Sequence, residues 1–453
     1  MLDRLLLVND MVRAFVWGVP LLVLLLGAGM YFTIETGFFQ LRCAPLWLRR
    51  TLGGCFSRAA RRGAAGAPSP FATMCTALAA TVGTGNIAGV ATALTLGGPG
   101  AVFWMWISAF FGMMLAFAEN VLGILYRERG TDGAWRGGPM LYLKNGLGSP
   151  FLAGAFAGLA AAASFGVGNM VQCNSIAQGL WGTFGVPPLV TGLAAAALLT
   201  AALTGGLTRI TRVTGMLVPF MALFYMGGAV YVLFVHRTAL LPVLREVVAC
   251  AVGLRQGAAG LAGYGMAQAV RVGVARGVFS NEAGLGSSVM VHAAGAISEP
   301  CEQGMWAVFE VFFDTIVMCT VTALVILSSG VYQGAGGVTG ALLTAAAFST
   351  VFGRAGGAFV ALSLVLFAFS TLLGWSFYGQ RAAEYLFGAR AVPVYRALFV
   401  AAVVLGSTMR LEPVWALADT FNGLMALPNL AGVLGLRRQA LAEWRRYARA
   451  NHI

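Results

Sequence analysis

The 453-residue chain is 59% hydrophobic and 10% charged, with a mean hydropathy of +0.81, against about 25% charge in an ordinary soluble chain. That balance excludes a soluble enzyme, and the formal charge of +13 has no soluble basic domain to carry it toward nucleic acid. Unbroken apolar runs such as Pro20–Gly29 and Ala358–Leu373 lack the alternation of a barrel strand, so the chain reads as an all-α polytopic membrane protein.

A crossing takes roughly 20 apolar residues. Eleven such segments are legible, at roughly 12–34, 71–97, 99–126, 151–181, 186–206, 213–235, 262–296, 303–330, 355–380, 392–409 and 413–436. The first is not a cleavable signal: its leading residues are weakly basic, and its apolar stretch runs into Tyr31-Phe32 without a small-residue cleavage site. Residues 1–36 therefore read as an extra N-terminal transmembrane helix, 37–70 as a linker and 71–436 as the core. Residues 437–453 read as a basic tail helix, with Leu441, Trp444 and Tyr447 at helical spacing against five arginines. That tail is expected to lie as an amphipathic anchor in the membrane interface.

Every basic residue but Lys144 is an arginine, and their placement orients the spans. Arg42, Arg49, Arg50, Arg58, Arg61 and Arg62 follow the first span, and Arg127, Arg129, Arg136 and Lys144 follow the third. Arg209 and Arg212 precede the sixth, Arg381, Arg390 and Arg396 follow the ninth, and the tail holds five more. With eleven spans these all fall on one side, while opposite them the Gly97–Gly100 and Gly182–Pro188 turns carry no charge and only Arg237, Arg245, Arg255, Arg354 and Arg410 are scattered. The positive-inside bias then predicts an N-terminus outside and a C-terminus in the cytoplasm. The seven cysteines, Cys43, Cys55, Cys75, Cys173, Cys250, Cys301 and Cys319, form no C-x-x-C pair and read as small apolar fillers.

Two spans differ from the rest. One holds Thr81-Val82-Gly83-Thr84-Gly85-Asn86, the other Phe279-Ser280-Asn281-Glu282-Ala283-Gly284-Leu285-Gly286. A polar group without a partner at that depth costs several kcal/mol. The pattern matches discontinuous helices, whose half-helix ends offer amides to an anionic group and carbonyls to a cation. Close-packed small-residue interfaces of the G-x-x-x-G kind are the bland alternative, and they leave Asn86, Asn281 and Glu282 unexplained. The two spans stand five apart, as corresponding helices do when two five-helix repeats of opposite topology are fused.

The segments TVGTGNIAGVATAL, GGPGAVFWMWISAFFGMMLAFAEN, WRGGPMLYL, GNMVQCNS, RGVFSNEAGLGSS, STLLGWSFYG and ADTFNGLMALPNL together resemble the alanine/glycine:cation symporters, the sodium:alanine symporter family. The resemblance runs from about Gly37 to Leu430. It implies a leucine-transporter-type fold, a 5+5 inverted repeat with broken helices plus one extra helix, carrying a small neutral amino acid with Na⁺. It also implies that the Thr84 and Gly85 amides, with Asn86 beside them, meet the substrate carboxylate. By the same resemblance the carbonyls of Ala79 and Val82 and the hydroxyls of Ser370 and Thr371 hold Na⁺, a hard cation that takes oxygen ligands.

The two hydroxyls could instead bond back to their own helical turn. Gln172 and Asn169 lie one turn apart; Gln172 is expected to face the pocket, though either could be interhelical glue. Phe279, Ser280 and Asn281 at the second break, and Trp375 beyond Thr371, complete the expected substrate site. Glu282 reads as either a functional ionisable group or an acceptor for unwound backbone. Glu119, Asn120 and Asp314 read as network or gate residues, and Asp419 and Asn422 as a gate.

His236, His292 and His452 are scattered, and neither H-E-x-x-H nor a phosphate-binding G-x-x-x-x-G-K-[ST] loop occurs. The chain is thus expected to be no enzyme, to use no cofactor beyond Na⁺ as coupling ion, and to partner lipid and not nucleic acid. The leading expectation is Na⁺-coupled import of alanine or glycine across a bacterial inner membrane. The alternatives are a proton-coupled symporter on the same fold and a channel or receptor, which would want rings of like groups about a pore axis.

Overall fold

The computed structural model describes residues 2–55, 67–130, 133–253, 259–334, 338–409 and 411–453. Arg58, Arg61 and Arg62, most of the loop expected to connect spans one and two, and Arg255 and Arg410 lie outside the described residues. Among those described, seven helices are long and apolar enough to cross a membrane, or eight when the bent pair Pro70–Thr81 and Gly85–Gly97 counts as one. The protein is therefore a helical, multi-pass membrane protein.

Proline marks many of the starts. Ser69 Oγ accepts from the Ala72 amide at 3.2 Å ahead of Pro70, and Ser149 Oγ from the Leu152 amide at 3.4 Å ahead of Pro150. A hydroxyl cap followed by a residue that lacks the N–H a first turn cannot use is a strong helix start. Pro188 and Pro300 also open their helices, without a side-chain cap. The expected first span is two helices, Leu2–Val16 and Val19–Glu35, parted at Gly18. The second lies against Gly100–Leu125, where a Cβ on Gly29 would meet the Phe111 carbonyl at 2.5 Å.

Three helices occupy stretches expected to be loop: Ala44–Cys55, Arg237–Ala251 and Gly340–Phe352. The last packs on Ala355–Phe387 and is pinned to the first break by Thr344 Oγ1, which donates to the Ile87 carbonyl at 3.0 Å. The arginine-rich loops gather at one end of the molecule, tied by Arg50–Glu302 (3.2 Å), Arg136–Glu384 (2.7 Å), Arg445–Glu35 (3.3 Å) and Arg446–Glu299 (2.6 Å).

The tail helix, Arg437–Ala450, differs from expectation. Leu441, Trp444 and Tyr447 are buried, and the Trp444 ring lies 4.8 Å from Phe39 and 6.1 Å from Phe117. Its apolar face is covered by protein, not by the membrane interface. Amphipathic spacing requires an apolar partner and does not say which one.

Candidate functional site

The helix Pro70–Thr81 stops because Val82 turns extended, at φ −77° and ψ 90°. The Gly83 amide, which an unbroken helix would give to the Ala79 carbonyl, goes to Asn86 Oδ1 at 2.9 Å. Ala79 O accepts instead from Ser370 Oγ at 3.3 Å. The chain resumes at Gly85, bent by 48°, through a π-helical turn Gly85–Gly89. Thr84 and Gly85 thus occupy a first turn, where amides lack intrahelical partners and the helix dipole is positive.

The helix Ala259–Asn281 ends in three left-handed positions, Glu282 (φ 57°), Gly284 (φ 88°) and Gly286 (φ 75°), before the short helix Val289–His292. Side chains satisfy this unwound backbone. Asn281 Oδ1 takes the Ala283 amide at 3.0 Å, Glu119 Oε2 takes the Gly284 amide at 3.3 Å, and Asn429 Nδ2 donates to the Gly284 carbonyl at 2.8 Å. Asn429 in turn donates to Glu119 and accepts from the Tyr142 hydroxyl. The Glu282 carboxylate accepts from Ser287 Oγ and from Trp375 Nε1, the latter at 3.0 Å. The Glu282 carboxylate thus holds two side chains and, among the described residues, no unwound backbone, and the residue also lines the cavity described next.

Where the breaks meet, Thr84, Gly85, Gln172, Phe279, Ser280, Thr371 and Trp375 line a small cavity of about 10 Å³ with Glu282, about the volume that one water needs. Thr84 Oγ1 and Gln172 Oε1 are buried on its wall without a partner. Ser370 and Thr371 both donate to the Phe367 carbonyl, at 2.7 and 3.0 Å, so the back-bonding reading holds for their protons while their lone pairs stay available. A Cβ on Gly83 would lie 2.5 Å from Thr371 Oγ1, which places the first break directly on that hydroxyl.

Asn86 and Asn281 do not line the cavity. Asn86 Nδ2 donates to Asp314 Oδ1 at 2.7 Å and to Ser280 Oγ at 3.2 Å, and Asn281 Nδ2 donates to Thr315 Oγ1 at 3.1 Å. Asp314 Oδ2 also accepts from Ser280 Oγ at 2.7 Å and Thr315 Oγ1 at 2.8 Å. Asp314 is the hub joining both breaks to Pro300–Ser328. Asn169 donates to the Phe399 carbonyl at 2.7 Å, as interhelical glue, while Gln172 reaches the cavity by donating to Val167 O at 3.0 Å.

That carbonyl and Asp314 both sit in π-helical turns, Gly166–Met170 and Phe312–Cys319, a feature often found at functional sites. Sequence reading missed Val167 and Gly168. A Cβ on Gly168 would strike Trp375 at 2.2 Å, and the Gly166-Val167-Gly168 pair of glycines in an apolar span was the available signal.

Toward the other end of the molecule, Phe279 stacks on Trp415 (6.1 Å, 27°) under the Arg276 guanidinium, 5.7 Å from the Phe279 ring. Beyond them a vestibule of about 600 Å³ is lined by Arg13, Arg276, Trp181, Trp415 and Asp419. Asn422 is fully buried with no partner for its amide and takes no part in that lining. Toward the arginine-rich end, Arg127 Nη1 donates to the Ala293 and Gly295 carbonyls at 3.2 and 2.9 Å. Gly137 and Gly138 there press on Ala293 and Met290. Burial, with Arg129 nearby, lowers the Arg127 pKa to about 10, so it remains a cation at neutral pH.

A cavity held where two interrupted helices of a multi-pass membrane protein meet is the build of a membrane transporter. A solved structure shares the fold: an Eremococcus coleocola manganese transporter (mutant H236A) aligns with a TM-score of 0.51 at 17% identity, over 82% of this chain and 78% of that one. The model of the sodium:alanine symporter family matches residues 3–452, and the chain belongs to that family, a family of transporters and not of enzymes. The sodium/alanine symporter AgcS of Methanococcus maripaludis is 44% identical over 98% of this chain and 97% of its own. The probable sodium/glutamine symporter GlnT of Bacillus subtilis is 38% identical over 96% and 88%.

Trp375 gives the cavity its size. Its ring is fully buried, edge-on to Tyr378, and each methylene admitted or refused by such a wall is worth roughly 1–3 kcal/mol. Trp375→Ala is expected to let amino acids with larger side chains compete for uptake. A variant that loses uptake and gains no competition from larger side chains would make Trp375 a packing residue.

Proposed function

We propose that the protein is a secondary symporter that brings alanine or glycine into the cell with Na⁺, on eleven transmembrane helices. Ten of these form two inverted five-helix repeats, each opening with a broken helix, and Val19–Glu35 is the added one. The observation that carries the reading is the division of labour at the first break. One half-helix presents the Thr84 and Gly85 amides to a small cavity with unpartnered Thr84 Oγ1 and Gln172 Oε1 on its wall. The other half presents Ala79 O to Ser370 Oγ, with Thr371 Oγ1 against Gly83.

In this mechanism the substrate carboxylate binds the amides and the side chain packs against Phe279, Ser280 and Trp375. Na⁺ is taken by the carbonyls of Ala79 and Val82 and the hydroxyls of Ser370 and Thr371, which links the first broken helix to Ala355–Phe387. Asn86 and Asn281 serve by holding the breaks through Asp314 and Thr315. Phe279 with Trp415 closes the outer path, and Arg127 with the Gly137-Gly138 turn closes the inner one. The GlnT name makes a larger side chain an alternative to alanine.

Uptake of labelled alanine into proteoliposomes, with and without a Na⁺ gradient, tests the reading. Accumulation should require Na⁺. A proton gradient that drives uptake equally well without Na⁺ would move the function to proton symport, the second reading, which the Glu282 carboxylate on the cavity wall favours.

The arginine-rich end is placed in the cytoplasm of a bacterial cell by the positive-inside bias. Lys144→Cys, at that end, should resist an impermeant thiol reagent added to intact cells, and Thr183→Cys, at the other, should react. The reverse pattern would invert the topology and the direction of entry.

A further inference from the structure

The tail helix, docked on protein through Trp444, turns Arg445 and Arg449, one turn apart, into a groove of about 560 Å³ at the end of Val19–Glu35. Arg42 enters the same groove from the short helix Phe39–Arg42. Gly37, in a left-handed turn at φ 64°, lies beside the Arg42 guanidinium. Of the three arginines only Arg445 has a carboxylate partner among the described residues, Glu35 at 3.3 Å. Ile34 on the groove wall, with Phe38 and Leu41 close to it along the chain, is apolar and exposed, the three at 58%, 47% and 62%.

Guanidinium groups bind phosphate oxygens in paired hydrogen bonds, and basic clusters at the end of a membrane helix bind anionic headgroups. We propose that this groove is a binding site for an anionic phospholipid. Its phosphate lies among Arg42, Arg445 and Arg449, and its acyl chains run along Ile34, Phe38 and Leu41. The apolar flank selects a lipid over a soluble phosphoester, because it gives the acyl chains a surface continuous with the spanning helix. Bound there, the lipid clamps the tail helix to the end of the first span.

Native mass spectrometry of the full chain, released from detergent and titrated with phosphatidylglycerol or phosphatidylcholine, tests the site. Phosphatidylglycerol should be retained over phosphatidylcholine. R42Q/R449Q should weaken its retention by about tenfold or more, at about 1 kcal/mol per arginine, while R354Q at the opposite end leaves it unchanged. R42K/R449K, which keeps the charge, should recover part of the retention, and R449Q alone carries the same reading if the double variant folds poorly. Retention in R42Q/R449Q equal to wild type overturns the site. Displacement of phosphatidylglycerol by an equal concentration of glycerol phosphate overturns the lipid and leaves a soluble phosphoester.

Discussion

Asp314→Ala will abolish transport and lower the melting midpoint of the detergent-solubilised protein by roughly 5–10 °C. The carboxylate is completely buried and accepts from three side chains, Asn86 Nδ2, Ser280 Oγ and Thr315 Oγ1. Removing it strips Ser280 Oγ and Thr315 Oγ1 of their carboxylate acceptor and leaves Asn86 Nδ2 only longer bonds, among them those to Ser280 Oγ and the Asp314 carbonyl at 3.2 and 3.1 Å. Each donor stranded where water cannot replace the acceptor costs about 1–3 kcal/mol. The loss is also positional. Asn86 uses its other atom to hold the Gly83 amide, and Ser280 lies on the cavity, so both breaks depend on one side chain. Asp314→Asn keeps an oxygen for Asn86, and the two hydroxyls can reverse to accept from the new amide, so it should fold normally and keep part of its activity. An Asp314→Ala protein with wild-type melting and uptake would show that the breaks hold without the hub.

Thr371→Ala is expected to raise the Na⁺ concentration for half-maximal uptake on the order of tenfold, the lower end of what loss of a metal-site partner costs. The substitution removes an oxygen beside Gly83 and leaves the Thr84 and Gly85 amides in place. Linkage between the two ligands is reciprocal. The alanine concentration for half-saturation should therefore rise at low Na⁺ and recover at high Na⁺. Thr371→Ser, which keeps the oxygen, should be mild. Unchanged Na⁺ dependence in Thr371→Ala would remove this hydroxyl from the cation site. Loss of activity that no Na⁺ concentration restores would instead indicate collapse of the break.

Both predictions turn on positions that local sequence marked clearly. Glycines and a side-chain amide in the middle of an apolar run are a backbone signal, because a helix at that depth is interrupted only where other groups satisfy the freed amides and carbonyls. Gly83-Thr84-Gly85-Asn86 and Asn281-Glu282 therefore located both breaks, and the structure has them. Composition likewise marked the chain as a multi-pass membrane protein, and the arginine count grouped loops that lie together at one end.

Side-chain direction was settled only by the tertiary structure. A π turn adds a residue to its turn and swings everything beyond it by about 100°, so helical spacing could not tell that Gln172 reaches the cavity while Asn169 bonds Phe399 O. Asn86 and Asn281 looked like substrate ligands because each sits at a break. They point to Asp314 and Thr315 because Pro300–Ser328 brings those acceptors within reach, a contact between residues more than thirty positions apart. The covered face of the tail has the same origin. An apolar stripe has the same composition whether lipid or protein lies against it, so Trp444 found its place on Phe39 and Phe117 only when the chain had folded.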